Sequence, residues 1–411
     1  MKFKVINLGC RMNQFDGDFI SSWLLKHGYE KSEIPDIYII NTCSVTSQAD
    51  RSSRQAIYKA KKENPNAVVI ATGCYAQTQK DALEKLKEVD IVLGNANRTD
   101  IIKAIKNYID TKQKLSYVDN IFRQNDIAFQ EDIIFENHRP FLKIQEGCNS
   151  FCTFCIIPFA RGKSRSVDED LVFKSVQNLY EKGYKEVVLT GTQLSQYGHD
   201  KGTSLFKLLK KLIKIPIFIR LSSMNVNEIK NDKELLDLIT EEPNIMPHFH
   251  LSLQSASDNI LKAMRREYTL KEYEETASYI IKKRPISAIG TDVIVGFPKE
   301  TDEDFNITYN FLKDFPFAYL HIFTYSDRPL TKAQKLTPKV DTNIKKERSN
   351  LLHILDKEKR TTFRKNMKGK TLRALTISSD KAITENYIEL TPKDLFIDKF
   401  EKINDIIIVR L

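Results

Sequence analysis

The stretch GCNSFCTFCIIP, Gly147 to Pro158, places Cys148, Cys152 and Cys155 within eight residues and no histidine among them. A structural zinc site takes four protein ligands, as two CxxC-like pairs or as Cys and His spread over a longer interval. His138 is the nearest histidine upstream, and it does not stand at such a spacing. An electron-transfer ferredoxin cluster also takes four thiolates. Three thiolates on a cubane iron-sulfur cluster would instead leave one iron with an open position, where a small molecule can bind.

The other three cysteines stand alone. KFKVINLG precedes Cys10, DIYIINT precedes Cys43 and AVVIATG precedes Cys74, each a short β-branched, apolar run followed by helix-compatible sequence. With DIVLGN at Asp90 to Asn95 as a further strand, this alternation predicts an open, mostly parallel α/β sheet. Functional groups of such sheets gather at the carboxyl ends of the strands, so Cys10, Cys43 and Cys74 can face one crevice. The alternative is that lone cysteines are small buried hydrophobes. Disulfides are the weaker expectation for six cysteines in a large chain.

After a polar linker, Tyr108 to Asn137, come the strand candidates FLKIQEG, EVVLTG, IFIRLSS, HFHLSLQ, AIGTDVIVGFP and AYLHIFTYS, separated by helical patterns. Six parallel strands are too few for a closed eight-stranded barrel. They predict a partial (βα)6 barrel, open on one side. Ile344 to Lys365 reads as a helix with Leu351, Leu352 and Leu355 on one face, and TLRALTIS, TENYIEL and DIIIVRL predict a small C-terminal β-domain. The fold class is therefore α/β, divided as 1–125, 134–365 and 366–411.

The chain has 411 residues, 41% hydrophobic and 29% charged, with no apolar run of membrane-spanning length. Its N-terminus lacks the apolar block of a secretory signal, which points to the cytoplasm. Of the formal charge of +10, most lies between Thr331 and Lys370, where thirteen Lys and Arg face four Asp and Glu. Such a patch suits a polyanion, although a charge run is also an ordinary solvated helix face.

CxxxCxxC at the start of a (βα)6 barrel resembles the radical S-adenosylmethionine (SAM) enzymes, in which the amino and carboxylate groups of SAM chelate the fourth iron. NLGCRMNQ, NTCSVTSQADRSSRQ, ATGCYAQ, GCNSFCTFCIIPFARGKSRS, TGTQLSQYG, LSLQSASDNILKAMRREYT, DVIVGFPKETDEDF and HIFTYSDRP, in that order, narrow the resemblance to the methylthiotransferases over essentially the whole chain. The resemblance implies two 4Fe-4S clusters, one on Cys148, Cys152 and Cys155 and a second on Cys10, Cys43 and Cys74. It also implies that Phe154 lies against the SAM adenine and that Gly191 and Gly296 line the SAM pocket. Arg220 and Asp292 are barrel residues that either contact SAM or substrate or satisfy other internal charges.

The implied reaction is sulfur insertion at C2 of a modified adenosine in tRNA, with one SAM as methyl donor and a second as radical source. No side-chain base removes that aromatic hydrogen, since such bases act on protons with pKa values near neutrality. SVTSQADRSSRQ after Cys43 resembles the branch acting on N6-threonylcarbamoyladenosine-37, beside the anticodon, rather than the N6-isopentenyladenosine branch or the ribosomal-protein branch. The implied partners are the tRNA anticodon stem-loop and an electron donor such as flavodoxin or ferredoxin, with the protein itself a monomer. Lys357, Lys359 and Arg360 are the expected phosphate contacts, because Thr371 to Leu411 carries six Lys and Arg against seven Asp and Glu, too acidic for a strong RNA grip. A non-catalytic iron-sulfur protein that binds RNA or relays electrons is the rival class.

Overall fold

The computed structural model describes residues 1–411. They form two compact units: Met1–Glu136 with Lys143–Leu171 and Ser326–Thr331, and Asn137–Leu142 with Val172–Tyr325 and Lys332–Leu411.

The first unit is built on six parallel strands: β1 (Lys2–Asn7), β2 (Glu30–Lys31), β3 (Ile37–Thr42), β4 (Val68–Gly73), β5 (Ile91–Leu93) and β6 (Leu115–Tyr117). Their order in the sheet is β2-β1-β3-β4-β5-β6, and every pairing is parallel. IYIINT and VVIATG are buried at all positions, which is what a central parallel strand covered on both faces requires. Tyr38, Ile40, Val69, Ala71 and Val92 join Ile57 and Ala60 in one core. Each fully buried Ile or Val side chain there is worth roughly 1.5–3 kcal/mol. Helices α1 (Arg11–Lys26), α2 (Ser47–Glu63) and α3 (Cys74–Thr78) follow β1, β3 and β4. Strand β6 falls in the stretch expected to be a linker; it is three residues long and only half-buried, so it carries little apolar pattern.

Strand β7 (Phe141–Glu146) starts in the second unit and ends in the first, where it pairs antiparallel with β8 (Arg165–Ser166). The second unit continues with β9 (Glu186–Gly191), β10 (Phe218–Leu221), β11 (His248–His250), β12 (Ala288–Val295) and β13 (Tyr319–Thr324). Val188 N–H donates to Pro140 O just ahead of β7. β9 and β10 are parallel, as are β11, β12 and β13, and parallel bridges Ile219–Ile245 and Met224–Leu251 link the two sets. Helices lie between successive strands, giving the partial barrel.

A 25-residue helix, Thr342–Asn366, packs against β13 at the open side. Its Asp356 carboxylate accepts the Leu320 N–H of that edge strand at 2.7 Å. Leu352 and Leu355 are buried as expected, but Leu351 is exposed, lying off their stripe. The four C-terminal strands, β14 (Thr371–Ser378), β15 (Lys381–Thr384), β16 (Glu389–Leu390) and β17 (Ile406–Arg410), form an antiparallel sheet in the order β16-β15-β14-β17. TENYIEL is not one strand: Tyr387 takes a left-handed φ of 71° and turns the chain between β15 and β16.

That turn is seated on the barrel. Arg220, fully buried, donates to both Glu186 oxygens at 2.8 and 3.0 Å and to the Glu385 and Thr384 carbonyls at 3.0 and 3.3 Å. The Tyr387 ring stacks on His248 at 4.0 Å and lies against the guanidinium groups of Arg139 and Arg220. Of the two expectations for Arg220, internal charge satisfaction is what the geometry shows. Arg220→Met leaves buried Glu186 with only the longer Arg139 contact at 3.7 Å and no bidentate donor, so the variant is expected to lose about 3 kcal/mol, measured by urea unfolding of the whole chain.

Candidate active site

The sheet order explains the gathering of the N-terminal cysteines. β1, β3 and β4 are neighbours and parallel, so their carboxyl ends meet one edge, about 4.8 Å apart strand to strand. Cys10 caps α1 just beyond β1, Cys43 follows β3 directly, and Cys74 opens α3 at the end of β4. Cys43 and Cys74 are buried and Cys10 is exposed, and all six cysteines of the chain are free thiols. Gly9 has φ of 91°, and a Cβ there would lie 2.7 Å from the Cys43 sulfur. Only glycine lets the first loop approach the second so closely.

Asn13 joins the three loops. Its Nδ2 donates to the Leu8 carbonyl at 2.7 Å and to the Thr42 carbonyl at 2.9 Å, the residues before Gly9 and Cys43. Its Oδ1 accepts from the Cys74 thiol at 3.9 Å and from Arg161 Nη2 at 2.6 Å. Arg161 comes from the short helix Ile157–Arg161 that follows Cys148, Cys152 and Cys155, so one hydrogen-bonded pair connects both cysteine groups of this unit.

Behind that pair lies a closed ionic cluster. Arg161 also binds Asp16 at 2.9 Å and Glu146 at 2.5 Å, and Lys143 bridges the same two carboxylates at 2.8 and 3.1 Å. Arg98 reaches Asp16 at 3.1 Å and donates to Asn95, whose amide contacts the Cys74 sulfur at 3.8 Å. All of these charged side chains are buried. Burial alone would favour neutral carboxyls, yet Arg98, Lys143 and Arg161 hold Asp16 below the usual carboxylate range, and the same cations hold Glu146 well below it.

The thiols are pushed the other way. Burial, with Cys74 and Cys10 as neighbours, raises Cys43 to about 12, and burial raises Cys74 against the pull of Arg161. Cys43 and Cys74 therefore do not ionise on their own at neutral pH, and the donor set fits a cationic metal core that supplies the compensating charge. A further clamp comes from far along the chain: Arg328, buried, donates to Ser44 at 3.0 Å and pairs with Asp50, fixing the residue after Cys43.

The CxxxCxxC loop is pinned at its base. Cys148 N–H donates to Gly162 O at 3.1 Å, Cys155 N–H to Cys152 O at 3.0 Å, and Gln145 Nε2 to Gly147 O at 2.7 Å. The three cysteines are half-buried. Phe154 occupies the turn between Cys152 and Cys155, half-buried. Gly191 ends β9 and Gly296 follows β12, both in the second unit. The Gly296 N–H donates to the Glu300 carboxylate.

Two family models match the chain: "Radical SAM superfamily" over residues 142–312 and "Uncharacterized protein family UPF0004" over residues 2–94. The threonylcarbamoyladenosine tRNA methylthiotransferase MtaB of Aquifex aeolicus is 55% identical over 396 residues, covering 95% of this chain and 96% of that protein. The chain belongs to the radical SAM methylthiotransferase family. A tRNA-2-methylthio-N(6)-dimethylallyladenosine synthase of Pelotomaculum thermopropionicum is 33% identical over 85% of this chain and 81% of its own length. Among solved structures, the radical SAM methyltransferase TsrM of Kitasatospora setae matches with a TM-score of 0.61 at 13% identity, covering 81% of this chain and 77% of that one, a likeness of fold. As a radical SAM methylthiotransferase the chain is an enzyme, with SAM and 4Fe-4S clusters as cofactors. No helix is long and apolar enough to cross a membrane.

Asn13, Arg161, Asp16, Glu146 and Arg328 were not among the site residues expected from sequence. Their signal was present only as polar residues inside or beside the quoted motifs NLGCRMNQ, IPFARGKSRS and HIFTYSDRP.

Glu300 gives a pH test of the β12 end. Burial raises it from 4.5 to about 7 despite Arg348 nearby, so the folded chain holds a proton that the unfolded chain releases between those values. Its contribution is present in full below pH 4.5 and is lost as pH rises through about 7. Glu300→Gln is expected to flatten that decline, read as urea midpoints at about pH 5 and about pH 8.

Proposed function

We propose that this chain transfers a methylthio group to C2 of N6-threonylcarbamoyladenosine in tRNA, in the anticodon stem-loop. The observation that carries the reading is the gathering of two three-thiol groups in one compact unit, each group one ligand short of a closed cubane. The identity of 55% to a threonylcarbamoyl-specific relative, against 33% to a dimethylallyl one, supports the choice of substrate.

Cys148, Cys152 and Cys155 would hold the cluster that binds SAM, and Cys10, Cys43 and Cys74 the second cluster. When bound, these groups supply the methyl donor, the transferable sulfur and the radical chemistry that protein side chains lack. The chain's own residues hold the thiols in register: Asn13 ties the three N-terminal loops, and Arg161, Arg98 and Lys143 provide fixed positive charge beneath them. Buried positive charge favours thiolate over thiol and raises the potential of an anionic centre. Phe154, Gly191 and Gly296 are the proposed SAM contacts. The functional division is 1–125, 134–365 and 366–411, a flavodoxin- or ferredoxin-type protein delivers electrons, and the protein works as a monomer in the cytoplasm.

The basic stretch needs one correction. Lys359 is buried and donates to the Phe315 carbonyl at 2.7 Å and the Lys313 carbonyl at 2.5 Å, so it serves the fold and not a phosphate. Arg360 is exposed but paired with Asp356 at 2.8 Å, while Lys357, Lys365 and Lys368 are exposed. Reversing Lys357 and Lys365 together is expected to weaken tRNA binding and to lower the log-log salt slope by about one for each phosphate that is no longer neutralised. Filter binding across a salt series measures it.

The catalytic test is anaerobic reconstitution followed by assay of 5′-deoxyadenosine and mass spectrometry of tRNA nucleosides. Cys148→Ala is expected to abolish 5′-deoxyadenosine formation. Cys43→Ala is expected to keep 5′-deoxyadenosine formation and lose the methylthio product. A reconstituted wild type that binds zinc, or that cleaves no SAM, overturns the reading.

A further inference from the structure

The second unit carries a polar seam that no step above uses. His248 and His250 lie on β11, Asp292 on β12, and Tyr319 and His321 on β13. The Tyr319 hydroxyl sits 2.8 Å from His248 Nε2 and 3.0 Å from His250 Nδ1. His250 Nε2 is 2.9 Å from Asp292 Oδ1, and His321 Nδ1 is 3.4 Å from the same oxygen. Ser252 donates to Asp292 Oδ2 at 2.9 Å. The strand register pairs His250 with Gly290, Gly290 with Tyr319, and Asp292 with His321, so these side chains share one face of the sheet. Gly290 makes room for the seam, because a Cβ there would lie 2.0 Å from the Tyr319 ring.

The alternate residues Phe249, Ile289, Val293 and Leu320 are buried in the core, so the seam faces the other side, the inside of the partial barrel. The seam climbs from the amino end of the strands, closed by Tyr387, toward their carboxyl ends, where ligands of such folds bind. Its exposure climbs with it. His248 and His250 are buried, whereas the His321 side chain is 50% exposed. Phe323, two residues on, is also exposed, with Ile294 paired beside it.

Asp292 fixes the donors. Burial would raise it, but His250 and His321 hold it well below the usual carboxylate range, so it is an ionised acceptor for both imidazoles. His321 then turns Nδ1–H toward Asp292 and presents Nε2 outward, the orienting logic by which a buried carboxylate sets a histidine for work on its far side. With a second carboxylate against Nε2, the imidazole lies between two anions and donates through both nitrogens, inward to Asp292 and outward to the ligand.

We propose that His321, oriented by Asp292, is the specificity residue for the N6 substituent and binds the carboxylate of the threonylcarbamoyl group. This rests on the substrate reading above. A charge-assisted hydrogen bond of this kind favours the threonylcarbamoyl substrate, and the apolar dimethylallyl group leaves the donor unmatched, which is how a polar site rejects an apolar analogue. His321 stands half-exposed on an edge strand, so replacing it removes little packing.

The test uses cluster-loaded enzyme and three anticodon stem-loop RNAs, carrying N6-threonylcarbamoyladenosine, its methyl ester, or N6-dimethylallyladenosine. With wild type, blocking the carboxylate as the ester is expected to raise KM roughly tenfold or more. His321→Ala is expected to raise KM for the free carboxylate by a similar factor and kcat to change less, while KM for the ester hardly moves. His321→Gln, whose amide reaches the Nε2 position, is expected to recover part of the loss, and His321→Asn, which reaches only the Nδ1 position, is not. Iron and sulfide content equal to wild type serves as the control for folding. Wild type that modifies the threonylcarbamoyl RNA, with His321→Ala leaving its KM unchanged, overturns this inference alone. Wild type that modifies only the dimethylallyl RNA overturns the substrate reading and this inference with it.

Discussion

The cysteine site depends on a buried ion cluster that has to close completely or not form. Asp16 and Glu146 face Arg98, Lys143, Arg161 and Arg165, all largely removed from water. Desolvating so many charges costs several kcal/mol for each ion, and only mutual pairing with good geometry offsets that. The consequence is positional. Residues from α1, from the end of β7 and from the helix after Cys155 are locked to one another, because displacing any one strands the rest. Cations outnumber carboxylates in the cluster, and Cys74 is tied to it, since its sulfur meets Asn95 directly and Arg161 through Asn13.

The second unit solves a different problem. A partial barrel has an edge strand with unpaired backbone groups, a hazard unless covered. Here the long helix Thr342–Asn366 covers β13, with Asp356 accepting the Leu320 N–H and Lys359 donating to carbonyls at the end of the preceding helix. Arg348 in the same helix turns inward to Glu300 and Asp302. Part of a helix that reads as a polyanion-binding face is therefore committed to closing the barrel, and only its outer lysines stay clear of that task. The small C-terminal sheet is held by buried charge in the same way, through Arg220 and Glu186 beneath Tyr387.

Much of this was legible, and the reasons differ by element. β3 and β4 are apolar at nearly every position because both faces are covered, so their ends, and with them Cys43 and Cys74, could be placed from the chain alone. β2 and β6 could not, since two exposed residues, or three half-buried and exposed ones, carry no period. TENYIEL has strand composition, but the left-handed Tyr387 is dictated by what it packs against, Arg139, Arg220 and His248, and that is tertiary information. Asn13 and Arg161 were invisible for the same reason. A polar residue on a helix reads as surface until something distant buries it, and here each buries the other.

The backbone that carries the six sulfurs is fixed without reference to the sulfurs. Leu8 N–H bonds Asn41 O at 3.0 Å, Cys43 N–H bonds Ser53 Oγ at 3.3 Å, and Cys148 N–H bonds Gly162 O at 3.1 Å. Small metal domains spend the binding energy of the metal on folding, because they have no other core. This chain has a large apolar core under the sheet and a closed ion cluster behind the loops, so its thiols are positioned by the fold first. The affinity of such a site goes into holding and tuning what binds rather than into making the protein fold, which suits a centre whose chemistry requires an incompletely ligated iron.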